Sequence, residues 1–151
     1  MPRRPFPIGL DRTHALALGL ISSLAAFPAV ALEIEIEGVR SNEGHVNVLV
    51  WTKGDGFPSD ADKALHRFTT GASTETIRFV VEDLPPGRYS VSAIHDENAN
   101  GDLDRNFLGM PSEGAAISGD GMGFFGPRPF EETLVDVGDD PIRLEMRYWQ
   151  P

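Results

Sequence analysis

The chain has 151 residues, no cysteine, and 13 Lys and Arg against 23 Asp and Glu, a net charge of −10. That composition excludes disulfide stapling, argues against nucleic acid or anionic lipid as a partner, and favours cations. Arg3, Arg4 and Arg12 precede an apolar run over 15–31 that ends Ala29-Val30-Ala31, the small-x-small pattern cut by a signal peptidase. Residues 1–31 therefore read as a secretory signal peptide, which places the rest of the chain in the periplasm or the medium. The other reading is a membrane anchor. The run has 17 residues and contains Ser22, Ser23 and Pro28, short of the ~20 that span a bilayer comfortably; once it is cleaved, no stable span is expected. Without residues 1–31, which hold three arginines and Asp11, 10 basic side chains face 22 acidic ones, a charge of −12. Residues 32–151 form one domain of ordinary size, able to bury about two-thirds of its unfolded surface.

The first predicted element is a strand. Leu32, Ile34 and Ile36 alternate with Glu33, Glu35 and Glu37, which places three apolar side chains on a core face and three carboxylates in water. Val46, Val48 and Val50 repeat the period after a turn around 41–44 and are expected to pair antiparallel with the first strand. A weaker candidate covers 64–70. Ile77, Phe79 and Val81 follow, then Tyr89, Val91 and Ala93; a second weak candidate covers 133–137, and Ile142, Leu144, Met146 and Tyr148 close the series. Lys53-Gly54-Asp55-Gly56, Leu84-Pro85-Pro86-Gly87 and Gly138-Asp139-Asp140-Pro141 supply turn chemistry between the runs. Apolar residues nowhere recur at helical spacing for three turns. The prediction is an all-β fold, an antiparallel β-sandwich of about seven strands of immunoglobulin-like kind. The segment 105–132, with six glycines and three prolines, shows little periodicity and reads as a long loop, either functional or ordered by a ligand.

Residues 95–104 read HDENANGDLD. Asp96, Asn98, Asn100, Gly101, Asp102 and Asp104 fit D-x-N-x-N-G-x-x-D, the start of a calcium loop. Side-chain oxygens at positions 1, 3 and 5 can surround a hard cation if the chain turns sharply at a glycine in position 6. Asp102 would add its carbonyl and Asp104 a carboxylate. Position 12 is Phe107 rather than a bidentate glutamate, and a strand precedes the loop, so this is not an EF-hand. A closing carboxylate must come from elsewhere: Glu113 is the first candidate, with Asp120 and Glu97 behind it. So few charged ligands imply weak Ca²⁺ binding, roughly 10⁻⁴–10⁻³ M, adequate outside a cell. The alternative is an ion-free acidic turn, since Asp, Asn and Gly dominate turns for backbone reasons alone.

From Leu84 onward, LPPGRYSVSAIHDENANGDLDRNFLGMPSEG followed by FGPRPFEETLVDV resembles the bacterial domain-of-unknown-function family 2141. The likeness lies in the LP-x-G-x-Y, HDEN-x-NG-x-LD, LG-x-P-x-EG and FG-x-P-x-F motifs and covers residues 32–148. It implies a small exported β-rich protein and assigns no activity. The LPPGRY stretch is also similar to repeats with prealbumin-like sandwiches. One departure follows the EG motif: where the family carries an aromatic, a glycine and an asparagine pair, this chain has Ala115-Ala116-Ile117-Ser118-Gly119-Asp120.

His95 beside Asp96 could act as a general base, ligate a softer metal, or cap the loop through a hydrogen bond. His45 and His66 lack zinc-type spacing. Ser90, Ser92, Ser112 and Ser118 lie outside any G-x-S-x-G context, and the Tyr148-Trp149-Gln150-Pro151 tail lacks the Tyr-Arg-Gly-Ser ending of hydrolytic transthyretin-like sandwiches. Glycosidase chemistry would need two of Glu97, Asp104 and Glu113 about 5–10 Å apart in a cleft. Phe107, Phe124, Phe125 and Phe130 either pin the long loop or form a recognition surface. The sequence thus points to an exported, non-catalytic β-sandwich module with a calcium-binding loop, engaging a protein or glycan or serving the envelope. A secreted hydrolase using His95 and nearby carboxylates, and a structural protein without metal, are the rival readings.

Overall fold

The computed structural model describes residues 29–123, 126–138 and 140–149. Apart from 29–31, the expected leader lies outside the described residues, as do Phe124 and Phe125. The strands are β1 (Val30–Glu37), β2 (His45–Trp51), β3 (His66–Gly71), β4 (Ile77–Leu84), β5 (Arg88–Asp96), β6 (Gly114–Ile117), β7 (Met122–Gly123), β8 (Gly126–Pro127), β9 (Val135–Asp136) and β10 (Ile142–Glu145), with a 3₁₀ turn over Phe130–Glu132. The fold is all-β, as the periodicity predicts. The described residues contain ten strands rather than about seven, three of them only two residues long.

One layer of the sandwich has the order β10-β1-β4 and the other runs β3-β2-β5-β6, with β9 also paired to β5; β7 and β8 pair with each other in a separate two-stranded ribbon. Leu32, Ile34 and Ile36 of β1 meet Val46, Val48 and Val50 of β2 and Tyr89, Val91 and Ala93 of β5 in one core, joined by Val81, Leu84, Ile142 and Leu144. Period-2 alternation puts these side chains on the inner faces, and each large aliphatic so buried contributes about 1.5–3 kcal/mol. On the outer face of the first sheet, the Glu35 carboxylate accepts from Arg78 (3.0 Å) on β4 and Arg143 (3.1 Å) on β10. The LPPGRY turn closes on itself through Tyr89, whose hydroxyl donates to the Pro85 carbonyl (2.6 Å).

Two expectations are corrected. First, β1 and β2 do not pair. β1 lies between β10, in parallel, and β4, in antiparallel register, whereas β2 pairs with β3 and β5 in the opposite sheet. The connection is too long for a tight hairpin: Gly38 (φ 76°) and Gly44 (φ 71°) bend it at both ends, and buried Val39 draws it across the end of the sandwich. Second, 105–132 is not a loop throughout. β6 pairs with β5 from His95↔Gly114 to Ser92↔Ile117, and all four of its residues are buried. A strand covered on both faces loses the alternation by which strands are read.

Part of the described remainder of 105–132 lies over the outer face of β5, while residues 105–111 form a separate exposed turn. Ala115, Ile117 and Met122 make a second small core with Phe57, Ile94, Leu103 and Trp149. Phe57 stands edge-on to both Trp51 and Phe130, so Phe130 is one of the expected pins. The hydroxyls of Ser90, Ser118 and Thr133, all buried, link β5 to this covering segment: Thr133 Oγ1 donates to the Phe130 carbonyl (2.7 Å) and is hydrogen-bonded to Ser90 Oγ (2.8 Å), and Ser118 Oγ donates to the Thr133 carbonyl (2.8 Å). Ser92 is also occupied, accepting from Trp51 Nε1 (2.9 Å) and donating to the Pro58 carbonyl (2.7 Å).

Candidate functional site

Strand β5 delivers His95 and Asp96 to the end of the sandwich, where the chain leaves the sheet and coils. Ala99 (φ 58°) and Gly101 (φ 90°) turn left-handed; the second of these is the glycine that position 6 requires. The coil wraps around the Asp96 carboxylate, which accepts from the amide N–H of Asn100 (3.0 Å) and of Gly101 (2.8 Å) and from the Asn47 carboxamide (3.3 Å). Asn98 Oδ1 accepts from the same Asn100 N–H (3.0 Å), and Asn100 Oδ1 accepts from the Asp102 N–H (2.8 Å). The oxygens of positions 1, 3 and 5 thus all turn inward on the loop backbone.

Asp104 closes the ring. Its carboxylate accepts from the Asn98 and Asn100 carboxamides (2.6 and 3.0 Å). Glu113, sixteen residues past Glu97 in sequence, joins the two ends of the loop: one carboxylate oxygen accepts from the Glu97 N–H (2.8 Å) and the other from the Asp104 N–H (3.0 Å). Asp96 and Glu113 are 2% and 4% exposed. The six expected ligands are therefore gathered at one loop, with Asp102 on its exposed rim. Of the reserve candidates, Glu97 is committed to the Arg40 guanidinium, which grips both of its oxygens. Asp120 lines a shallow groove of about 80 Å³ with Ile117, Met122, Arg143, Glu145 and Arg147.

By ligand type the loop suits a hard cation. Each carboxylate or carboxamide oxygen that accepts one N–H keeps a second lone-pair direction. Its arrangement is not a ready-made cage: among the described residues no three His, Asp or Glu side chains stand close enough to hold an ion. An incoming cation would displace the two carboxamide NH₂ groups now on Asp104. No buried side-chain nitrogen or oxygen among the described residues lacks a hydrogen-bond partner.

Beside the loop lies a network that sequence reasoning missed. The His95 ring is fully buried, with Nε2 2.9 Å from the Glu43 carbonyl and Nδ1 2.7 Å from the Tyr148 hydroxyl. A carbonyl can only accept, so Nε2 carries the proton, and in the neutral ring Nδ1 accepts from Tyr148. The Tyr148 oxygen accepts in turn from the Arg40 N–H (3.0 Å), and the Arg40 guanidinium lies 4.5 Å above the Tyr148 ring. Gly114 makes this packing possible: a β-carbon there would come within 2.5 Å of the Tyr148 ring. The Arg40 hydrogen bond and charge hold the Glu97 carboxyl below its ordinary value, outweighing burial, and burial pushes the Tyr148 hydroxyl up. His95 caps a turn, as one reading held, but the turn is 41–44 rather than the acidic loop. Both ring nitrogens are engaged and the ring is closed to solvent, so as placed it offers no lone pair to a substrate.

These features define a small two-sheet β-sandwich with an acidic loop closed by a carboxylate at one end. Among the described residues no helix is long and apolar enough to cross a membrane. The chain belongs to the family described as an uncharacterized protein conserved in bacteria, DUF2141, whose profile matches residues 34–145. No curated protein and no solved structure matches it.

Proposed function

We propose that the chain is a non-catalytic, exported β-sandwich module whose 96–104 loop takes up Ca²⁺ with Glu113 as closing carboxylate, presenting the ordered end of the sandwich for interaction in the periplasm or medium. Asp96, Asn98, Asn100 and Asp104 would give side-chain oxygens, and Asp102 its carbonyl. One observation carries the reading: three acidic side chains close a nine-residue loop, two of them buried, and the hydrogen bonds they accept come only from amides and carboxamides. A buried carboxylate is costly without a counter-charge; the cation near Glu113 is Arg40, which is already bound to Glu97, and a domain already at −12 gains by taking up a further cation. The bound ion would supply that charge and hold the loop against the start of the 105–132 segment.

The rival reading, a loop complete without an ion, draws support from the full satisfaction of its buried polar atoms. Scanning calorimetry in EDTA and in Ca²⁺ separates the two. A ligand bound by the native state alone stabilises it by RT ln(1 + [L]/Kd); calcium at ten times a millimolar Kd adds about 1.4 kcal/mol, and at a hundred times about 2.7 kcal/mol. The melting temperature should therefore rise by roughly 5 °C or more in 10 mM Ca²⁺ and return in EDTA. An unchanged melting temperature favours the ion-free loop.

A further inference from the structure

The two sides of the sandwich end differently. On one side the chain beyond β10 pairs with β6: Arg147 and Ala115 form an antiparallel bridge, each N–H donating to the other's carbonyl (both 3.0 Å). On the other side, among the described residues, β3 pairs only with β2 and β4 only with β1. An edge strand turns half of its N–H and C=O groups away from the sheet and so offers a template to another strand. Proteins block such edges with proline, lysine, a bulge or an inward-pointing charge. From Ile77 to Val81, β4 has none of these. Its inward side chains are Ile77, Phe79 and Val81, the first two only partly buried at the rim of the core. Its register with β1 is regular from Ile36↔Ile77 to Leu32↔Val81, and the register shift and the left-handed Asp83 (φ 59°) come after that.

The outward side chains say what fits this edge. Arg78, Val80 and Glu82 are exposed in turn, Val80 at 54%. Among the described residues Glu82 forms no ion pair, and Arg78 uses only its Nε, on Glu35 (3.0 Å). Laid antiparallel against a copy of itself, the strand has one register that matches charge. With Val80 opposite Val80, Arg78 of each copy faces Glu82 of the other, so two opposite-charge pairs flank an apolar one. Centring on Arg78 or Glu82 sets like charges face to face, and centring on Phe79 or Val81 sets Val80 against a charge. In the matched register Asp83 falls opposite Ile77 and Glu75 opposite Pro85, so neither meets a like charge. Glu33, beside Val80 on β1, stands about 14 Å from its counterpart, beyond the ~8 Å screening length of physiological salt.

We propose that β4 is a self-association edge, at which two copies of this chain pair antiparallel about a two-fold axis at Val80 and join their β10-β1-β4 sheets into one of six strands. The pairing satisfies the outward amides and carbonyls of both edges and covers Val80 and the open flank of Ile77 and Phe79. A span this short buries less than the roughly 1,600 Å² of a standard interface, so the dimer is reversible, with a Kd on the order of 10–100 μM.

Sedimentation velocity of the full chain in its exported form, in EDTA and near-physiological salt, tests the assignment. A passage from monomer to dimer is expected between about 1 and 500 μM chain. Arg78→Glu and Glu82→Arg each set two like-charge pairs across the axis and should weaken the dimer roughly 10-fold or more. Mixed in equal amounts, they regain both opposite pairs and should form a heterodimer about as tight as the parent dimer, with each variant checked for an unchanged melting temperature. The chain has no cysteine, so Val80→Cys supplies one thiol per copy. Directly opposed residues of antiparallel strands have Cα atoms about 4.5–5.5 Å apart, within disulfide reach. Mild oxidation should therefore cross-link Val80→Cys readily and Glu82→Cys, about 14 Å from its counterpart, poorly. A chain that stays monomeric at 500 μM, a dimer that both charge variants leave intact, or equal cross-linking of the two cysteine variants overturns the assignment.

Discussion

Replacing Glu113 with alanine tests the way the acidic loop is closed. Its carboxylate is 4% exposed and is the acceptor for two amides at opposite ends of the loop, those of Glu97 (2.8 Å) and Asp104 (3.0 Å). Removing it leaves both without a partner. A hydrogen bond to a charged group contributes about 1.5–3 kcal/mol, and an amide stranded by loss of its acceptor costs about 1–3 kcal/mol. The two amides lie on half-buried residues, so water entering the vacated volume recovers part of the loss, giving an expected destabilisation of about 2–4 kcal/mol. Glu113→Gln keeps one carbonyl acceptor and turns an NH₂ toward the other amide, so about half of that loss should remain. Equilibrium urea unfolding in EDTA, followed by tryptophan emission, reads the difference as a midpoint shift on the order of 1–2 M. Hydrogen exchange should quicken first at the Glu97 and Asp104 amides. A loss below about 0.5 kcal/mol, the scale of an ordinary surface substitution, would refute the bridging role.

The network around His95 gives two more expectations. Tyr148→Phe removes the donor to His95 Nδ1 and the acceptor of the Arg40 N–H at a fully buried imidazole, and should cost about 2–3 kcal/mol in urea unfolding; long-range nitrogen NMR of the parent should show the Nε2–H tautomer, and the Nδ1–H tautomer would contradict the assignment. The Arg40–Glu97 pair makes stability depend on acid. Because the folded-state pKa of Glu97 lies below its ordinary 4.5, its contribution is complete above that value and fades as pH falls through the folded-state pKa. Thermal unfolding from neutral pH down to about pH 3 should lose less stability in Arg40→Met than in the parent, and parallel curves would contradict the pairing.

How much of this was legible in the sequence follows from where alternation survives. β1, β4 and β10 show an apolar period of two because one face meets the core and the other is largely turned to water; β5 is covered on both faces and keeps the period because Ser90 and Ser92 stand at its outer positions. β6 is buried on both faces and made of Gly, Ala and Ile, so its composition resembles a glycine-rich loop. Which sheet β2 joins could not be read from β1 and β2 alone, since both need the same buried face and either pairing satisfies it; the seven-residue link with buried Val39 decides it. The acidic loop was legible because its chemistry is local: the 1, 3, 5, 6 spacing of Asp96, Asn98, Asn100 and Gly101 matches the inward-turned oxygens and the left-handed glycine. Glu113 was within reach as the next acidic residue beyond the loop. Tyr148 and Arg40 were not, because 108 residues separate two groups that meet across the sandwich end. The one available sign was a lone histidine at the end of a core strand, which more often marks a satisfied buried imidazole than a reactive one.

A crystal structure of the chain grown in millimolar Ca²⁺ reads ion uptake by the loop at the level of its ligands. A single density peak is expected inside the 96–104 loop, ~2.3–2.6 Å from oxygens of Asp96, Asn98, Asn100, Asp104 and Glu113 and from the Asp102 carbonyl, with the two asparagine carboxamides turned off Asp104. Finding those carboxamides still bonded to Asp104, and only water in the loop at saturating calcium, would contradict it.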